Sequence, residues 1–150
     1  FEALLAGARK SYDYVIIDTA PAINMALLNA LTASQSVVVP VQADIYSLKG
    51  LKELATTVNS IKKRSNPELK IAGILIARYN SRTVFAKAIT AALEQVTSEL
   101  DTTVFNSKIR EATSVKESQN AFQSIFEYDP KGKVTEDINA FIDEFLEKEN

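Results

Sequence analysis

Apolar residues in this chain follow two rhythms. In some places they run on without alternation, as in Val15-Ile16-Ile17 of Tyr12–Asn24 (YDYVIIDTAPAIN), Ser36–Gln42 (SVVVPVQ) and Ile71–Tyr79 (IAGILIARY). Runs of this kind predict strands buried on both faces, as in a parallel sheet. The first strand is expected at about Asp13–Thr19, and a fourth at Thr103–Ile109. Pro40 falls near the end of its strand, where a lost ladder hydrogen bond costs little, and Gly73 marks a close backbone approach within the third.

Between the strands apolar positions recur every three or four residues, the helical rhythm. Helices are predicted from Pro21 to about Thr32, from a Ser47 cap to about Arg64, from Thr83 to Leu100 and from Val134 to Lys148. Their inward faces are Leu27, Leu28 and Leu31; Leu48, Leu51, Leu54, Val58 and Ile61; Phe85, Ile89, Leu93, Val96 and Leu100; and Val134, Ile138, Phe141, Ile142, Phe145 and Leu146. Phe1–Ala6 reads as the last turns of a helix that Gly7 ends, which suggests a piece of a longer chain. Asn66-Pro67 closes the second long helix. Ser114-Val-Lys-Glu117 has capping-box form and opens a short helix, and Asp129-Pro-Lys-Gly132 signals a turn. Strands alternating with helices predict an α/β fold: a mostly parallel sheet of about four strands, helices on both faces, one domain over residues 1–150.

Composition narrows the chemistry. The 150 residues contain neither Cys nor His, which removes disulfides, thiolate nucleophiles, Cys-ligated clusters, His-based triads and the commonest metal ligand. Carboxylates, hydroxyls, Lys, Arg and backbone amides remain. No stretch approaches the ~20 apolar residues of a membrane-spanning helix, and no signal peptide is visible. The net charge of −2 hides an asymmetry. Lys62 to Lys87 holds seven basic residues against Glu68, and Glu136 to Asn150 holds six acids against Lys148. Asp18 stands at the carboxyl end of the first predicted strand, where open α/β sheets place their ligands. It could equally cap the helix that follows.

YDYVIIDTAP resembles the second nucleotide motif, YDxxxxDxPP, of the ParA/Soj-type partitioning ATPases, deviant Walker members of the P-loop class. Four further segments continue the resemblance in the same order: ASQSVVVPVQADIYSLKGL, NPELKIAGILIARYNSRT, IREATSVKESQ and SIFEYDPKGKV. It implies that Asp18 positions Mg2+ through water on the phosphates of ATP, and that Thr19 to Pro21 form the turn that senses the γ-phosphate. Ala20 departs from the usual Pro and makes that turn less stiff. It places Ala77 and Arg78 near the nucleotide base, with Arg110 and Glu111 across the pocket. Ala77 stands where a relative can read adenine through Asn, so base recognition would fall to backbone or neighbours. Arg82 matches a DNA-contacting Arg. A second such Arg is replaced by Ser114, with Lys116 nearby.

The resemblance further implies a cytoplasmic, nucleoid-associated protein whose nucleotide state governs homodimerisation and non-specific DNA binding, with a centromere-binding ParB-like protein stimulating hydrolysis. The Gly-rich phosphate loop of the family, KGGVGK[ST], does not occur in these residues. The only glycines are Gly7, Gly50, Gly73 and Gly132, none spaced to form a phosphate cradle. These residues alone are therefore not expected to hydrolyse ATP, and no cofactor is firmly expected in them. Two other readings are a non-catalytic docking or dimerisation module and a MinD-type positioning ATPase. Against the latter, the chain ends in acidic FIDEFLEKEN rather than a basic, membrane-binding helix.

Overall fold

A computed structural model of the chain describes residues 2–20, 22–42, 45–80, 93, 97–98 and 101–149. In order, its elements are α1 (Glu2–Ala8), α2 (Met25–Ala33), β1 (Ser36–Gln42), α3 (Ile45–Arg64), β2 (Lys70–Tyr79), β3 (Val104–Arg110), α4 (Thr113–Asn120), α5 (Ile125–Tyr128) and α6 (Lys133–Glu149). The strands form a three-stranded sheet in the order β1-β2-β3, with β2 and β3 parallel, and the class is α/β as expected. The helix predicted over Thr83–Leu100 lies almost wholly outside the described residues; Leu93, one of its inward positions, is helical and buried.

The chain divides into two compact units, Phe1–Val37 with Lys52–Lys70, and Val38–Leu51 with Ile71–Asn150. In the first, the carboxyl end of α2 is held by side chains. Asn66 donates its amide N–H groups to the carbonyls of Leu31 and Ser34 at 2.9 and 2.7 Å, and Arg9 donates to Ala33 O at 3.3 Å. Carbonyls that a helix end leaves without partners are thereby satisfied. Asn66 does more than stop the helix before it.

In the second unit the core lies where α6 covers β3. Ile74, Ile76, Phe105 and Val134 are almost fully buried. The Phe105 ring meets Phe141 edge-on, with centroids 5.1 Å apart and planes at 89°, the arrangement favoured by ring quadrupoles. Gly73 explains itself here: a Cβ at that position would lie 2.8 Å from Cδ2 of Phe105 and 2.9 Å from its Cζ. The close approach expected of Gly73 is a phenyl ring lying against its backbone. Polar contacts tie α6 along the same strand. Glu144 accepts from the main-chain N–H groups of Asn106 and Ser107, each at 2.8 Å, and the Lys148 ammonium donates to Thr103 Oγ1 at 2.8 Å.

Four local expectations are corrected. Residues 14–20 have no regular structure, and Val15 and Ile16 are 42% and 92% exposed. A buried strand needs neighbours to satisfy its backbone on both sides, and no strand of the described residues pairs with this run; an apolar sequence supplies the propensity but not the partner. Helix α2 begins at Met25, because Asn24 caps it, its side chain accepting from Leu27 N at 3.1 Å. Helix α3 begins at Ile45, so Ser47 lies within its first turn rather than at its cap. Helix α4 has Ala112 at its N-cap position with no side-chain cap. The capping box belongs instead to Ser124 and Glu127 of α5.

Candidate functional site

Asp18 is exposed in the irregular stretch that follows the apolar run. It lies six residues before the Asn24 cap, so the helix does not use its carboxylate. Thr19 is exposed beside it, and Pro21 lies outside the described residues. Among the described residues no group of three or more Asp or Glu gathers to hold a metal ion. That does not disqualify Asp18: Mg2+ keeps several waters and is commonly held by one or two carboxylates together with substrate phosphates. An accessible oxygen ligand of this kind fits the ion's chemistry.

The second unit brings the other expected residues together at the carboxyl ends of β2 and β3. Tyr79 pairs with Arg110, and the register slips between Ile76 and Tyr79. Arg78 lies at this slip with φ of 52°, a conformation that bulky residues seldom adopt and that concentrates at functional sites. Its guanidinium donates to Glu111 Oε1 at 2.9 Å, and Glu111 N donates to Tyr79 O at 3.3 Å. The hydrogen bond from Arg78, with its charge, holds the Glu111 carboxyl below its ordinary range. Both partners are about half exposed, 57% and 46%, so the pair adds little stability. Ala77 is half-buried beside Arg78. The Lys108 ammonium stands 4.8 Å from the centre of the Tyr79 ring.

Arg110 is held differently. Its Nε and Nη2 donate to Asp137 Oδ2 and Oδ1 at 2.6 and 2.7 Å, and its main-chain N donates to Oδ2 at 3.0 Å. The guanidinium hydrogen bond, outweighing burial, depresses the Asp137 carboxyl below its ordinary range, while Asp137 raises Arg110. Sequence reading named Arg110 and missed Asp137, which had only its place on the acidic last helix to mark it. Lys116 is exposed on α4 and its charge reaches Glu111. Ser114 is half-buried on α4, and Arg82 lies outside the described residues.

The family described as "AAA domain" matches residues 1–71. The chain is 34% identical over 132 residues to the sporulation initiation inhibitor protein Soj of Bacillus subtilis, an alignment covering 88% of this chain and 51% of Soj. It is 33% identical over 138 residues to the chromosome partitioning protein ParA of Myxococcus xanthus, covering 92% and 48%. Among solved structures, apo McdA of Cyanothece matches with a TM-score of 0.80 at 20% identity, covering 95% of this chain and 57% of McdA, a likeness of fold. Cobyrinic acid a,c-diamide synthase of Mycobacterium smegmatis, crystallised with an ATP analogue and magnesium, matches with a TM-score of 0.65 at 29% identity, covering 75% and 43%. No helix among the described residues is long and apolar enough to cross a membrane. The chain belongs to the ParA/Soj-type P-loop ATPases and spans about half the length of the curated relatives it matches.

Proposed function

We propose that this chain supplies part of an ATP-dependent partitioning protein in which nucleotide state governs homodimerisation and non-specific DNA binding, and a ParB-like centromere-binding protein stimulates hydrolysis. The observation that carries this reading is Asp18. It is the second acid of the motif that resembles the family's magnesium-positioning sequence, it is exposed, and the neighbouring helix does not use it as a cap. When bound, Mg2+ neutralises charge on the transferring phosphoryl group. Asp18 would hold the ion through water, and Thr19 to Pro21 would form the turn next to the γ-phosphate. In the second unit Ala77, Arg78, Arg110 and Glu111 would contact the nucleotide, and Arg82 and Lys116 would contact DNA. The phosphate cradle is not among these residues, so on their own they bind ATP weakly and do not turn it over.

The test uses the intact natural chain with Asp18→Ala. Mg-ATP turnover falls at least about tenfold, while the thermal midpoint without nucleotide stays where it was. Unchanged turnover would show that Asp18 does not position the metal, and an absence of turnover in the unsubstituted natural chain would give preference to the non-catalytic docking module. Unfolding without change in the chemistry of the remaining folded protein would make Asp18 a structural residue.

A further inference from the structure

The Arg110 guanidinium has its orientation fixed from outside its own strand. Asp137 takes both nitrogens of its Nε–Nη2 edge and the main-chain N of the same residue, with oxygens at 2.6, 2.7 and 3.0 Å. Bidentate pairing of this kind fixes the plane of the guanidinium as well as its distance. The exposures of the two partners differ: the Asp137 side chain is 14% exposed, that of Arg110 44%. The carboxylate is therefore the seated partner, and the cation is held at the surface by it. Side-on pairing through Nε and Nη2 leaves the Nη1 donors directed away from Asp137. Nearby, Arg78 donates through Nη2 to Glu111 Oε1, a half-exposed contact that is not bidentate.

Bidentate pairing of this kind is stronger than an ordinary surface ion pair, and it has a geometric consequence as well. We propose that Asp137 is a positioning residue of the nucleotide site: from the second turn of α6 it sets Arg110, whose remaining donors and open face meet the bound nucleotide. The proposal rests on the function inferred above. A guanidinium already offset by a carboxylate carries little net charge. It suits the planar base or the sugar hydroxyls better than the phosphates, which favour unpaired cations. Helix α6 thereby becomes part of the site, although none of its residues needs to touch the ligand.

The experiment measures the affinities of the intact natural chain for ATP and for magnesium tripolyphosphate, which lacks base and sugar. Asp137→Asn, Arg110→Ala and the double variant are compared, and Asp18→Ala turnover controls for the underlying reading. Asp137→Asn is expected to weaken ATP binding about fivefold, to leave tripolyphosphate binding unchanged, and to add nothing in the Arg110→Ala background. Unchanged ATP affinity overturns the positioning role. So does an equal loss for tripolyphosphate, or a loss that adds to that of Arg110→Ala, since either would report a general structural effect. If these results appear while Asp18→Ala still abolishes turnover, the inference fails and the functional reading stands. If Asp18→Ala leaves turnover intact, both fall. Should Asp137→Asn not fold, Asp137→Glu keeps the charge but displaces the carboxylate by one methylene. A loss confined to ATP then supports the role, and wild-type affinity overturns it.

Discussion

Gly73 and Phe105 form a pair in which the small residue is dictated by the large one. Because the ring already occupies the space a Cβ would need, Gly73→Ala forces either the ring or the β2 backbone to move. Phe105 is 1% exposed and packed on Phe141, so it has little room to retreat. The substitution should destabilise the protein by about 1–3 kcal/mol, as overpacking does. Phe105→Leu in the same chain should recover part of that loss, since the smaller side chain vacates the contact. Urea unfolding of the single and double variants measures both effects. Equal midpoints for wild type and Gly73→Ala would show that the contact relaxes freely. The need for a residue without a side chain was legible in the apolar strand itself; its partner, 32 positions on, was not.

At the scale of elements the cap positions separate what the sequence announces from what the fold uses. Ser114 to Glu117 and Ser124 to Glu127 both have the S-x-x-E pattern, and of these two only the second forms the reciprocal bonds. In the first, the helix has already begun at Thr113, so Ser114 stands inside the turn it would have capped. Ser124→Ala is accordingly expected to cost about 1 kcal/mol, and Ser114→Ala a few tenths at most, as read by thermal unfolding. Equal losses would contradict the assignment. The long periodic helix α6 and strands β1, β2 and β3 were legible to within about a residue or two at each end, and α6, β1 and β2 carry many apolar positions that agree. The run Val15-Ile16-Ile17 misled for the opposite reason. Three apolar residues declare a preference for burial, but burial requires a neighbour that three residues cannot specify.

For the whole molecule, the acid side of the stability profile follows from carboxylates drawn into main-chain and side-chain bonds. Burial pushes Glu144 upward, but the amide hydrogen bonds from Ser107 and Asn106 outweigh it and leave the group below its ordinary range. Asp137 is lowered by Arg110. A carboxylate whose pKa is lower folded than unfolded contributes stability that is present above the unfolded value and lost as pH falls through the folded one. The protein should therefore weaken as the pH drops below about 4, and Glu144→Gln should flatten that decline while lowering stability at neutral pH. Urea titrations at a series of pH values check both arms, and an unaltered acid slope in the variant would sink the assignment. The candidate site was legible only in part. Asp18 came from a contiguous motif, whereas the Arg110–Asp137 pair joins positions 27 apart, and no local pattern encodes that contact. The grip of Glu144 on β3 has one more consequence. β3 ends the described sheet, and such a margin ordinarily offers bare N–H groups as a template on which a foreign strand can grow into a fibril. At Asn106 and Ser107 those donors are already taken by a carboxylate from the protein's own last helix, so the molecule is protected there against accretion of further chains.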